Sequence, residues 1–264
     1  MILNTRRHYH MKKWLLLLMT AGLAAALAAC GTSSNNSNAS GDDKTLIMAT
    51  SADYPPFESK DGDKIIGFDV DLATALAKKN GYKLEIQDMD FASLVSALKT
   101  NKADIVLAGM TPTEKRKKQV DFSDVYYNAE NLVVSKKSSG IKTEKDLKDK
   151  TVGVQLGSIQ QDEANGLQKK YNLTVEDRNK ISDIIQEIKA GRFDAAIIED
   201  KVAAGYLKKE KDFQAFGLNS SNEGSAIAFK KNSDLTAKFN KSLKEMKDNG
   251  ELDKLIKKWF ADEK

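Results

Sequence analysis

From residue 46 onward, apolar residues fall into two alternating patterns: short unbroken runs, and stretches in which they recur at helical spacing. The runs at 46–50, near 83–86 and at 103–107 have strand length, and two helical patterns lie between them. In the first, Asp69 is the expected cap and Val70, Ala73, Leu76 and Ala77 share one face up to Gly81. In the second, Phe91 leads and Leu94, Val95 and Leu98 point inward. Strand, helix, strand, helix, strand predicts an α/β unit with parallel pairing. A further strand at 131–135 is broken by Ser138-Ser139-Gly140, and a second unit follows. There Thr143 caps a short helix, 151–154 is a strand, and Gly157-Ser158 starts a helix. After a strand at 173–176, Ser182 opens a helix through Ile184, Ile185 and Ile188, and 195–198 is the closing strand. Two amphipathic helices, 235–247 and 252–260, end the chain on either side of Asn249-Gly250, with Trp259 among the core positions of the second.

The two units repeat one design. Leu94-Val95-x-x-Leu98-Lys99-Thr100-Asn101-Lys102-Ala103-Asp104-Ile105 aligns without a gap on Ile184-Ile185-x-x-Ile188-Lys189-Ala190-Gly191-Arg192-Phe193-Asp194-Ala195. The same register pairs Gly109-Met110-Thr111 with Glu199-Asp200-Lys201. Open α/β sheets bind ligands at the carboxyl ends of their strands, so two such lobes facing each other place Thr111 and Arg116 on one wall and Asp200 on the other. The stretch after the strand at 103–107 is suited to an anion. Gly109 and Pro112 end the run, Thr113-Glu114 opens a short charged helix, and backbone N–H groups, the Thr111 and Thr113 hydroxyls and the Arg116 guanidinium converge. Lys115, Lys117 and Lys118 read as a solvated face. A ligand negative at one end and positive at the other fits between the walls.

Charge and cysteine usage narrow the class. The formal charge of +4 over 264 residues comes from the first thirty, which hold Arg6, Arg7, Lys12 and Lys13 and no acid. The remainder is neutral, which argues against a nucleic-acid binder driven by counterion release. That first segment is a secretory signal, a basic start and an apolar run over 14–27, and Met1 and Met11 are both available starts. Leu27-Ala28-Ala29-Cys30 resembles the lipobox of bacterial lipoproteins, in which the cysteine is lipidated and becomes the mature N-terminus; Cys30 is the chain's single cysteine. Residues 31–43 are polar and small, a tether. His8 and His10 are lost with the signal, so cysteine or histidine nucleophiles, Ser-His-Asp triads, His- or Cys-ligated metals and disulfides are excluded from the mature protein. Asp61-Gly62-Asp63 and Asp69-Val70-Asp71 lack the spacing of a calcium loop, so no metal and no cofactor is expected.

Several runs together resemble the amino-acid-binding branch of the solute-binding proteins that serve ABC transporters. They are Tyr54-Pro55-Pro56-Phe57-Glu58, Gly67-Phe68-Asp69-Val70-Asp71-Leu72, Gly109-Met110-Thr111-Pro112-Thr113-Glu114-Lys115-Arg116, Val120-Asp121-Phe122-Ser123, Gly153-Val154-Gln155-x-Gly157-Ser158 and Asp194-Ala195-Ala196-Ile197-Ile198-Glu199-Asp200. The resemblance spans nearly all of 45–264. It implies the two-lobed type II periplasmic-binding-protein fold: in each lobe a mixed, mostly parallel sheet flanked by helices, and two hinge crossovers, near 129–132 and 221–225. Lobe 1 is then 45–130 plus 225–264 and lobe 2 is 131–224, after a signal at 1–29 and a lipidated tether at 30–44. It also implies site roles. Arg116 grips the ligand carboxylate, helped by Thr111 and the helix start at Ser158 and Ile159; Asp200 takes the ammonium with the Gly109 carbonyl; Tyr54 and Phe91 flank the side chain. Simpler roles stand beside these: Asp200 and Ser158 as helix caps, Phe91 as a hydrophobic staple.

The implied protein is a lipid-anchored monomer on the outer face of the cell membrane of a Gram-positive bacterium, delivering its ligand to ABC permease subunits. Aromatic flanks and the acids Asp53, Glu58 and Asp90 near the rim point to arginine or another cationic amino acid, with glutamine next. A competing class is an enzyme on the same fold, a dehydratase of a small carboxylic acid with Glu199 as its base.

Overall fold

The computed structural model describes residues 44–218 and 224–261. The signal, Cys30, the tether and residues 221–223 of the expected second crossover lie outside them. The first lobe begins with β1 (Lys44–Thr50), then a small antiparallel sheet of β2 (Asp53–Tyr54), β3 (Glu58–Asp61) and β4 (Lys64–Ile66). It continues with α1 (Phe68–Lys79), β5 (Tyr82–Asp88), a 3-10 turn at Phe91–Ser93 leading into α2 (Leu94–Lys99), β6 (Ile105–Val106), α3 (Glu114–Lys117) and β7 (Val120–Phe122). The second lobe holds β8 (Asn131–Lys136), β9 (Thr151–Gln155), α4 (Ile159–Tyr171), β10 (Thr174–Arg178), α5 (Ile181–Lys189), β11 (Ala195–Glu199), α6 (Asp200–Lys209) and β12 (Phe213–Gly217). The chain then returns to the first lobe for β13 (Ala228–Lys230), α7 (Asp234–Asp248) and α8 (Glu251–Phe260).

Each lobe is built on a five-stranded sheet, in the orders β5-β1-β6-β13-β7 and β10-β9-β11-β8-β12. The orders correspond strand for strand, and the fourth strand of each, β13 or β8, is the first one made after the chain arrives from the other lobe. Those strands run antiparallel to both neighbours while the other four strands of each sheet point the same way, the mixed, mostly parallel arrangement expected. The two crossovers run side by side: Tyr126 N–H donates to Ser225 O at 2.9 Å and Ser225 N–H to Tyr127 O at 2.7 Å.

The internal repeat is structural. Asp104 and Asp194, equivalent in the repeat, each anchor the strand that follows to its neighbour by a reciprocal pair. Asp104 N–H donates to Ile47 O while its Oδ2 accepts the Ile47 N–H, both at 2.8 Å; Asp194 does the same with Thr151, at 2.9 and 2.8 Å. The helix before each needs a left-handed residue to turn, and Asn101 (φ 57°) and Gly191 (φ 73°) provide it at the same repeat position.

Three local readings change. Asp69 is not a cap: α1 starts after Gly67 with no side-chain cap, and Asp69 is fully buried, because its carboxylate is drawn inward by the Gly109 N–H and the Tyr126 hydroxyl. α5 starts at Ile181, one residue before Ser182, where buried Ile181 belongs to the apolar face. The loop at 51–58 contributes edges of the small sheet, an element too short to show an alternating pattern.

The first lobe's core gathers Phe57, Phe68, Tyr127 and Phe260, with ring centroids 4.5–6.2 Å apart. These rings join the small sheet, α1, the first crossover and the last helix. Phe57 is completely buried among them, so Phe57→Ala is expected to cost about 3–5 kcal/mol of unfolding free energy. Denaturant unfolding measures this; a loss under 1 kcal/mol would mean that the cluster repacks.

Candidate ligand-binding cleft

Seven of the eight residues proposed from sequence line one cavity between the lobes: Tyr54, Phe91, Gly109, Thr111, Arg116, Ser158 and Ile159. Asp200 is the eighth and is not in the lining; its neighbour Glu199 is. Strand β11 ends at Glu199 with its side chain buried, while Asp200 begins α6 with its side chain 25% exposed. The Asp200 carboxylate pairs with Lys201 Nζ at 3.2 Å and lies 3.4 Å from the Glu130 N–H that points to it.

One wall is cationic. Thr113 caps α3 through its hydroxyl, which accepts the Arg116 N–H at 3.3 Å, and so fixes where the Arg116 side chain starts. That side chain is buried. Its guanidinium donates to Thr111 O at 2.8 Å and across the cleft to Gly157 O at 3.0 Å, and stands 5.3 Å from the Phe91 ring centroid. Burial lowers its pKa to about 10, so it stays cationic at neutral pH. Among the described residues no carboxylate forms an ion pair with it. Beside it lies the N-terminus of α4, where Ser158 acts as a cap, accepting the Gln161 N–H at 3.1 Å and donating to Gln155 O at 2.7 Å. The first amides of such a helix have no acceptor within it, so guanidinium and helix start together form an anion site.

The other wall is acidic, and more so than the sequence suggested. Glu199 Oε2 accepts the Tyr54 hydroxyl at 3.3 Å, and its Oε1 is buried with no partner. Behind the Gly109 loop, Asp69 Oδ2 accepts the Gly109 N–H at 2.9 Å and the Tyr126 hydroxyl at 2.8 Å. Glu58 lies against Asp69, fully buried, and neither of its oxygens has a partner beyond that carboxyl pair. Burial, then repulsion between the acids, pushes Glu58 and Glu199 well above the usual carboxyl range, and burial takes Asp69 up to about 7. Gly109 makes this approach possible. Its φ is +55°, and a Cβ there would stand 3.3 Å from the Tyr54 ring and 3.6 Å from Glu199 Oε2.

Asn131, Gln155, Gln160 and Ser225 complete the polar lining. Gln160 Nε2 donates to Asn131 Oδ1 at 2.8 Å, and Gln155 Nε2 reaches Asn179 O at 3.2 Å. A signal for them exists: Asn131, Gln155 and Glu199 are buried polar residues at the ends of otherwise apolar strands, where an open sheet presents its ligand. Of the rim acids, Asp53 and Asp90 are engaged by residues 179–181 of the second lobe, and Glu58 is interior.

Residues 46–262 match the family described as bacterial extracellular solute-binding proteins, family 3. Over 224 residues the chain is 64% identical to the arginine-binding extracellular protein ArtP of Bacillus subtilis, covering 84% of this chain and 88% of that one. It is 35% identical over 230 residues to the lysine/arginine/ornithine-binding periplasmic protein of Escherichia coli, covering 82% and 88%. Among solved structures, an ancestral arginine-binding protein bound to arginine is similar at TM-score 0.78 and 45% identity, over 82% of this chain and 98% of that one.

The acid cluster sets a pH dependence for the protein alone. An acid raised to about 7 when folded keeps its proton where the unfolded chain has released it, so unfolding free energy falls as pH rises from about 4 to 7. One such proton contributes about 1.4 kcal/mol per pH unit. Denaturant unfolding between pH 5 and 8 is expected to show this decline, and Asp69→Asn to flatten it. A slope that Asp69→Asn leaves intact assigns the proton elsewhere.

Proposed function

The chain belongs to the bacterial extracellular solute-binding proteins, family 3, and from that premise we propose that the cleft captures L-arginine, or another cationic amino acid, for the permease of an ABC importer. The observation that carries this reading is charge buried without its counterpart at both ends of one cavity. A buried guanidinium bonded only to carbonyls is matched by an α-carboxylate, which its planar fork meets with two hydrogen bonds. Buried acids without a cation are matched by an ammonium and a side-chain cation, which pair with them and displace their protons.

In this reading Thr111, Ser158 and the Ile159 N–H assist Arg116, and Tyr54 and Phe91 flank the side chain. Asp200 takes the α-ammonium, exchanging its exposed pairing with Lys201, which holds it weakly. Glu199, with Asp69 and Glu58 behind it, attracts the side-chain cation. Capture without turnover is the reading the relatives support, since those named above are binding proteins. Leu27-Ala28-Ala29-Cys30 supports lipidation at Cys30 and anchorage outside the cell membrane, read as a lipid mass on the N-terminal peptide.

A thermal-shift panel of the twenty amino acids is expected to give its largest shift with L-arginine; a ligand at about a thousand times its dissociation constant adds about 4 kcal/mol. Response to glutamine alone would move the reading to a neutral polar ligand, and response to none would remove the amino acid. Calorimetry then separates the walls. Arg116→Ala is expected to weaken every bound amino acid by roughly 2–5 kcal/mol without lowering the ligand-free unfolding midpoint. Asp200→Ala should also weaken all of them, whereas Glu199→Gln should weaken arginine more than glutamine. Equal losses from Glu199→Gln would return that residue to general lining. Arginine affinity should rise between pH 5 and 8 as the cluster gives up its protons, and a flat profile would detach the cluster from the ligand.

A further inference from the structure

Helix α5 begins without a cap of its own. Its N-cap position is Lys180, whose side chain offers only donors, so the first amides have no local acceptor. The acceptor comes from the other lobe. Asp53 Oδ2 takes the Ile181 N–H at 2.8 Å, while Oδ1 takes the Ser51 hydroxyl at 2.9 Å, which orients the carboxylate. Two residues before Ile181, Asn179 Nδ2 donates to Asp90 Oδ2, also of the first lobe, at 3.0 Å. Lys180 and the two acids border a polar cavity of about 220 Å³ with Lys60 and Asp88, so water reaches these contacts when they part.

Their place in the chain gives the contacts a consequence. Asp53 directly precedes Tyr54 and Asp90 directly precedes Phe91, the two aromatics that line the ligand cavity. Whatever fixes the acids to the second lobe therefore fixes both rings over the ligand.

We propose that Asp53 and Asp90 are positioning residues that latch the lobes around bound ligand, with Asp53 supplying across the cleft the N-terminal cap that α5 lacks. The proposal rests on the capture reading above, because a latch matters where lobes part to admit ligand. With the lobes parted, the Ile181 N–H and the Asp53 carboxylate turn to water; with them together, each satisfies the other and the helix dipole favours the anion. The latch therefore acts on release more than on entry. A missing capping acceptor corresponds to roughly a tenfold change in an equilibrium constant.

The test uses L-arginine as the probe, with stopped-flow and equilibrium binding. Asp53→Ala is expected to raise both the dissociation rate and the dissociation constant about tenfold, with the association rate changed less than about twofold. Asp53→Asn keeps an oxygen acceptor and should stay within about threefold of wild type. Asp90→Ala should act in the same direction, more weakly. Wild-type dissociation from Asp53→Ala, or an Asp53→Asn variant as impaired as the alanine, would each overturn the latch. If wild type binds none of the twenty amino acids, the capture reading fails separately. The latch is then read from amide exchange at Ile181, faster in Asp53→Ala if it exists and unchanged if it does not.

Discussion

Everything at the cleft depends on burying charges of both signs apart from one another. Arg116 is held by carbonyls alone; Glu199 accepts a hydroxyl and Asp69 a hydroxyl and an amide, Glu58 has neither, and among the described residues no cation forms an ion pair with any of the three. Taking an ion out of water costs several kcal/mol unless a partner restores what water supplied. Burial raises the pKa of each acid, so an acid can lower this cost by taking up a proton; the guanidinium cannot release its proton at neutral pH and must be held by geometry. A rigid frame is therefore a requirement of the site. The Thr113 cap, the Thr111 carbonyl and the Phe91 ring keep the guanidinium from swinging out to solvent.

The topology places that frame. Each sheet's parallel strands end at the cleft, and the last residues of β9 and β11 are Gln155 and Glu199, polar ends on apolar strands. Because the chain leaves the first lobe and returns to it, two adjacent crossovers are the backbone links that join the sheets. Side chains from both lobes then meet at a surface that is continuous in space and widely separated in sequence, as Tyr54 with Glu199 or Arg116 with Gly157.

Much of this was legible because the signals are local. Period and run length locate nearly every helix and parallel strand, and the gap-free repeat by itself exposes the two-unit design. Arg116 was legible because its neighbours, Thr111, Pro112 and Thr113, announce a strand end and a helix start. What escaped depends on distant partners. Asp69 has the look of a cap, yet two donors from elsewhere in the chain draw it inside. Asp200 and Glu199 are adjacent acids, and only the turn from strand to helix decides which one faces the cavity. Strands β7 and β13 are three residues each, and β7, β12 and β13 all pair antiparallel with segments far off in the sequence, so nothing local announces them.

The repeat also explains why the two walls differ. Equivalent loops of the two units face each other, so a residue that differs between the copies becomes a difference across the cleft. Gly109 and Glu199 are equivalent positions: one is pared to a backbone that lets an acid approach, the other is the acid that approaches it. Asp90 and Lys180 are equivalent too, at the starts of helices that meet over the same cavity, acid in one copy and base in the other. Two carboxylates there would oppose each other where the lobes touch. The lysine removes that repulsion but offers no acceptor, and the first amide of the second helix takes one from the first lobe. The charge separation that suits a zwitterion and the contacts that hold the lobes together thus both rest on equivalent positions that carry different residues.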